Sequence, residues 1–219
     1  MSFNGYYKSE IARYGGNQEY VLAKAKEKKP LIERVIKFSK DGQILEAGSG
    51  SSANSIFLSN EGFDITAIDN DSKMILLAKE LSKPFNKKPK ILKKKIEDVE
   101  GKYAVVFSHG VLEHFSDDEL IKILKKELEL GAYVVFSVPS DFFREDQAIN
   151  GDERFMPVKK WEDIISKSNA KIVEKFSYFY DPDNLKLRIL KLIFKITGGI
   201  LPIRKPYIGF VIRKNVHLA

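Results

Sequence analysis

The stretch Ile44-Leu45-Glu46-Ala47-Gly48-Ser49-Gly50-Ser51-Ser52-Ala53 constrains the fold of this chain more than any other. A short apolar run feeds a Gly-x-Gly turn and then a helix-like segment, residues 54–60, so the backbone at the turn can approach a ligand closely. A second apolar run, residues 64–69, ends in Asp69. That acid falls about twenty residues past the first glycine, the spacing at which a parallel-sheet nucleotide fold presents a carboxylate to ribose hydroxyls. Strand, turn, helix, strand and acid make one βαβ unit. Read as Gly48-x-Gly50-x-x-Ala53, the loop also fits the dinucleotide fingerprint, whose helix N-terminus receives a pyrophosphate. Glu46 opposes that reading, because a carboxylate at the mouth of the strand repels an anion and welcomes a cationic ligand. An NAD-dependent oxidoreductase is therefore the less favoured alternative.

These residues resemble the class I S-adenosylmethionine-dependent methyltransferases of the small-molecule type. In that family an acid closes the first strand, the glycine turn wraps the methionine part of the cofactor, and an acid after the second strand binds the ribose. The resemblance implies a cofactor set of Glu46, Gly48, Ser49, Gly50 and Asp69, with Asn70 beside it. Ser52 stands where many members have a third glycine. Tyr103-Ala104-Val105-Val106-Phe107-Ser108 and Val111-Leu112-Glu113-His114-Phe115 resemble the fourth strand and the segment after it, and Gly131 to Pro139 resembles the fifth. Residues just after the third strand embrace the adenine in such proteins. This implies Glu97 or Asp98 as acceptor for its amino group, Ile96 over the ring, and Ser108 at the neighbouring strand end. The implied fold class is α/β, a Rossmann-like seven-stranded, mostly parallel sheet with helices on both faces. Its last strand is antiparallel and lies between the fifth and the sixth. S-adenosyl-L-methionine is the implied cofactor, with direct methyl transfer to an O or N of a small-molecule or lipid acceptor.

At 219 residues the chain suits one domain with a sizeable core. Residues 1–40 read as a helical cap, 41–180 as the cofactor-binding core, 181–205 as a basic helical insertion and 206–214 as the last strand. Pro30 can begin a helix at its first turn, Ser72 and Ser116 are capping candidates for two others, and a short third strand from Ile91-Leu92 runs into residues 96–99. The absence of cysteine excludes methyl chemistry through a cysteine adduct or a cysteine-bound iron–sulfur cluster. No acid cluster matches the divalent-metal site of catechol-type enzymes, so no metal is expected. The net charge of +7 is spread as lysine pairs at element ends, which favours a solvated surface over a nucleic-acid interface. Without a secretion signal or a membrane-length apolar run, a cytoplasmic location is expected.

The acceptor side is expected at the end of the fourth strand, where open parallel sheets hold their ligands. His109 is the candidate base there, since an imidazole titrates near neutrality. His114 is a candidate substrate contact, the alternative being a structural role in the helix that follows. No Asn/Asp-Pro-Pro-aromatic run is present, which disfavours methylation of exocyclic base amines. The loop 141–157 carries Phe143 and Arg144 and resembles the variable acceptor loop of the family. In the N-terminal cluster of Tyr6, Tyr7, Arg13 and Tyr14, either Arg13 or Tyr14 is a candidate lid residue near the cofactor's carboxylate, against plain helix docking. The stretch 185–196 is apolar around most of a helix, with Arg188, Lys191 and Lys195 as a basic stripe. It suits an anionic membrane, a second copy or the protein's own core. A non-catalytic, cofactor-binding or membrane-associated subunit is the alternative from another class.

Overall fold

The computed structural model describes residues 3–143, 151–179, 189, 192, 193, 195, 196 and 205–215. Strands with apolar residues on both faces go to the middle of a sheet, and those with charge go to its edges. β1 (Ile44–Ala47), β4 (Tyr103–His109) and β5 (Gly131–Pro139) are accordingly central, whereas β3 (Lys90–Lys93) has exposed lysines at both ends and forms an edge. With β2 (Ile65–Asp69), β6 (Ala170–Tyr178) and β7 (Tyr207–Lys214), the sheet has seven strands in the order β3-β2-β1-β4-β5-β7-β6. β7 runs antiparallel to both neighbours, pairing Phe136 with Phe210 on one side and Phe176 with Gly209 on the other. Gly209 is required there: a Cβ at that position would lie 2.2 Å from the Phe176 ring. β1 is flanked by β2 and β4, so strand order reverses between β1 and β4 and opens a crevice at their carboxyl ends.

Helices cover both faces. α6 (Asp117–Leu130) and α7 (Val158–Lys167) enclose one core around Trp161, Phe136 and Phe210. α3 (Lys29–Ser39) and α4 (Ala53–Asn60) enclose the other around Leu31, Val35 and Phe107. α1 (Phe3–Tyr14) and α2 (Asn17–Glu27) pack with α4 and α5 (Ser72–Ser82) as a third cluster at the crevice end. Pro30 opens α3, and the reciprocal cap between Ser116 and Glu119 opens α6, both as their sequence signals predict.

Two local expectations are corrected. α5 is capped by Asp71, which accepts from the Lys73 backbone at 2.7 Å, rather than by Ser72. The third strand does not continue into residues 96–99 but stops at Lys93, because its one neighbour ends at Asp69, and Ile96–Asp98 form a 3-10 turn. Of the stretch 185–196, only Ile189, Leu192, Ile193, Lys195 and Ile196 are among the described residues, and these are helical.

Glu127 on α6 is 1 % exposed, and its Oε2 has no hydrogen-bond partner among the described residues. Burial pushes its pKa up to about 8. The native state then holds a proton that the unfolded chain gives up near pH 4.5, so stability falls as pH rises from 4.5 towards 8. Glu127→Gln is expected to flatten this slope and to raise stability at about pH 8 by on the order of a few kcal/mol. Urea melts of both proteins across this pH range check it.

Candidate functional site

The turn after β1 uses left-handed backbone three times, at Gly48 (φ 64°), Gly50 (φ 51°) and Ser52 (φ 54°). The third case explains why glycine suits the Ser52 position and why a small polar residue is tolerated there at some cost. Gly48 also answers to space: a Cβ there would come within 2.7 Å of the Val111 side chain, so turn and β4 loop are in close contact. Ser49 ties the turn to β2 through its backbone N–H, 2.9 Å from the Ile68 carbonyl, and its hydroxyl meets that of Ser52 at 2.8 Å. Asp69 completes the frame. Its Oδ2 accepts from the Gly50 N–H at 2.7 Å and its Oδ1 from the Asp71 N–H at 2.9 Å. An ionised carboxylate offers about four acceptor positions, so these two bonds leave capacity for hydroxyl groups of a ligand.

Glu46 is 2 % exposed and faces α4. Its Oε1 accepts from Asn54 Nδ2 at 2.8 Å; its Oε2 accepts from the Ser55 N–H at 3.2 Å and the Ser55 hydroxyl at 2.5 Å. Burial pushes its pKa upward, while these donors and the nearby Lys28 ammonium pull it down. The carboxylate expected at the mouth thus serves first to fasten the strand beneath the helix that follows the turn.

The cap reaches the turn through Tyr20, whose hydroxyl lies 3.4 Å from that of Ser51, and through Tyr7, whose hydroxyl is 3.6 Å from where a Gly50 Cβ would be. Arg13 and Tyr14, the expected lid residues, turn instead to Glu10 at 3.1 Å and Glu27 at 2.7 Å. Lys24 is buried between the Tyr14 and Tyr20 rings and pairs with Glu10 at 3.1 Å. Lys28, between α2 and α3, is the cation that Glu46 and His109 both feel, and it forms no ion pair among the described residues. Burial, then repulsion from Lys24, brings its pKa down to about 8. No sequence signal distinguishes this lysine from its neighbours in a lysine-rich helix.

On the other side of the crevice, His109 ends β4. Its Nδ1 lies 2.8 Å from the Ser137 hydroxyl of β5, which is 2.9 Å from the Tyr178 hydroxyl of β6; Tyr178 itself is 3.4 Å from Nδ1. Burial, followed by the positive charges of Lys28 and Lys24, holds the imidazole pKa well below its ordinary value, so the ring is neutral at physiological pH. Tyr207 of β7 packs on the imidazole with centroids 5.7 Å apart, and Phe143 packs on Tyr207 and Phe155. Glu113 is buried with its Oε2 unpartnered among the described residues, and burial raises its pKa to about 7. The adjacent Ser108 hydroxyl is also buried without a partner among the described residues.

The remaining candidates are dispersed. Ile96 is half-buried against the core, while Asn70, Glu97 and Asp98 are exposed along the carboxyl edge of β2 and β3. His114 points outward to Asp152, 2.8 Å away, rather than sharing the environment of His109. With Glu153 these two place three ligand atoms within 4.8 Å of one another. Arg144 lies outside the described residues. Ser137, Tyr178 and Tyr207, which the sequence reading did not single out, meet His109 only because β5, β7 and β6 are neighbours in the sheet.

A family profile described as a methyltransferase domain matches residues 18–189. No curated protein matches the sequence. Among solved structures, the chain is similar to magnesium protoporphyrin IX methyltransferase from Synechocystis with bound SAH. The TM-score is 0.66 at 12 % identity, covering 97 % of this chain and 96 % of that one. It is also similar to the CcbJ methyltransferase from Streptomyces caelestis, with TM-score 0.65, 13 % identity and coverage of 88 % and 90 %. A methyltransferase from Clostridium acetobutylicum gives 0.62 at 12 % identity, covering 88 % and 92 %. At these identities the three structures speak to the fold.

Gly48→Ala is expected to destabilise the chain by about 1–3 kcal/mol, from the clash with Val111 and the positive φ together. Adding Val111→Ala should recover the clash component but not the backbone component, as denaturant melts of the single and double variants will resolve.

Proposed function

This chain belongs to the methyltransferase-domain family, and on that premise we propose that it transfers a methyl group from S-adenosylmethionine directly to an O or N of a small-molecule or lipid acceptor. Its dependence on S-adenosylmethionine is a property of the class I family; the acceptor and the residue roles are our reading. The observation that carries it is the opposition, across the crevice where strand order reverses, of the Asp69-braced glycine turn and the His109–Ser137–Tyr178 group.

The residues present fit this cofactor. Asp69 keeps acceptor capacity for two ribose hydroxyls after bonding Gly50 and Asp71, and Gly50, where even a Cβ would meet nothing closer than the Tyr7 hydroxyl at 3.6 Å, lets a ligand approach the turn. Ser108 has a buried hydroxyl with no partner among the described residues at the neighbouring strand end. Ile96 supplies an apolar surface beside them, with Glu97, Asp98 and Asn70 at the rim. Lys28 supplies a cation for the carboxylate of the cofactor's methionine part, the role for which Arg13 and Tyr14 were the sequence candidates. Glu46 and Ser49 hold the turn in shape.

When bound, S-adenosylmethionine supplies an electrophilic methyl group. The chain's own tasks are to orient the acceptor, exclude water and take a proton. In the tautomer protonated at Nδ1, the neutral His109 ring would donate to the Ser137 hydroxyl and offer Nε2 as the proton acceptor. Tyr207, Phe143 and Phe155 form the apolar wall for the acceptor.

Calorimetric titration is expected to show binding of S-adenosylmethionine and its demethylated product, weakened at least about tenfold in Asp69→Ala. His109→Ala should keep product binding and lose about 10²-fold or more in turnover on a responsive acceptor; full turnover would remove its assigned role. Cofactor affinity should fall as pH rises through about 8, where free Lys28 loses the proton that an anionic ligand requires. Product titrations at several pH values, repeated on Lys28→Met, test this; an unchanged pH dependence in the variant would reassign the carboxylate site.

A further inference from the structure

The helical residues between β6 and β7 present an apolar face to solvent. Ile189 is 48 % exposed, Leu192 57 %, Ile193 37 % and Ile196 74 %. Their spacing of i, i+3, i+4 and i+7 places them on one side of a helix, within about 100° of arc. Clustered side chains of this size on one face mark a contact surface, unlike apolar residues scattered singly.

Charge decides between occupants. From residue 185 to 205 the sequence holds Lys186, Arg188, Lys191, Lys195, Arg204 and Lys205 and not one Asp or Glu. In sequence, Arg188, Lys191 and Lys195 repeat at the same helical spacing one residue ahead of Ile189, Leu192 and Ile196. A second copy would bring the same positive charge against itself across a two-fold interface, which like-charge repulsion opposes. An anionic lipid surface satisfies both features at once: it takes the apolar side chains at the level of its headgroups and attracts the cations. No helix among the described residues is long and apolar enough to cross a membrane, so the contact is peripheral.

We propose that this face docks the protein on anionic membranes. The consequence for the site follows from connectivity. The segment leaves the sheet after Tyr178 and returns at Tyr207, and both rings adjoin His109, at 3.4 Å from the Tyr178 hydroxyl and 5.7 Å between the Tyr207 and imidazole centroids. The docking face thus belongs to the chain segment that joins the two strands next to His109, which favours an amphiphilic acceptor.

The test is co-sedimentation of the full chain with vesicles of phosphatidylcholine alone or with added phosphatidylglycerol, which reads lipid binding independently of catalysis. The chain should bind the anionic vesicles, bind the zwitterionic ones far less, and be released by salt. Lys191→Glu/Lys195→Glu and, separately, Leu192→Asp/Ile196→Asp should each lower partitioning by more than about tenfold, with circular dichroism and binding of the demethylated cofactor unchanged. No preference of the original chain for anionic vesicles would overturn the proposal whatever the variants do. So would variants that bind as well as the original. A dimer of the original chain that dissociates in the Leu192→Asp/Ile196→Asp variant, with no vesicle binding, would overturn it in favour of self-association.

Discussion

The buried carboxylate of Glu46 is the interaction on which the crevice depends. A carboxylate out of water must be matched by donors or give up its charge, and here Asn54 and Ser55 supply three of them from the first turn of α4. Because β1, the glycine turn and α4 are consecutive, satisfying that one group also sets the direction in which the turn leaves the sheet. Lys28 approaches from the cap and lowers the same carboxylate's proton affinity, which couples the N-terminal helices to the strand. Asp69 then closes the loop from the second strand by accepting from Gly50. The turn is thus over-determined by strand, helix and neighbouring strand, as a pre-organised binding loop must be.

The acceptor half is built on a different principle. Around His109 the neighbours among the described residues include the hydroxyls of Ser137 and Tyr178 and the Tyr207 ring, and burial disfavours an imidazolium. The cations Lys28 and Lys24 push in the same direction as burial. Neutral histidine and positive cap are therefore linked electrostatically, the cap lysines adding to the effect of burial on the imidazole.

The basic insertion joins this picture through topology. The antiparallel strand β7 lies between β5 and β6, so whatever precedes it must arrive at the carboxyl end of the sheet, next to the ligand crevice. The connection that carries the basic stretch therefore leaves from the end of β6 and rejoins the sheet at the start of β7, at that same edge.

Local patterns and fixed spacings were readable from the sequence alone. The apolar run ending in Glu46, the Gly48–Gly50 turn and Asp69 belong to one βαβ unit and interact within about twenty residues, so their spacing carries their geometry. The capping signals at Pro30 and Ser116 and the strands of the central sheet were legible for the same reason. Where pairing rather than pattern set the boundary, as at Lys93, the sequence overshot, because a strand ends when its neighbour does. The tertiary structure alone decided which groups meet across distance. Ser137 and Tyr178 stand 28 and 69 residues from His109 and reach it only through strand order. Glu46 has the composition of a ligand contact, and its oxygens also accept three bonds from α4. Arg13 and Tyr14 have the chemistry of a lid, yet Glu10 and Glu27 engage them and the cation felt at the site is Lys28. A side chain's chemistry is written in its residue type, but which partner satisfies it is settled by packing, since burial makes every unpaired charge costly and the nearest donor in space wins.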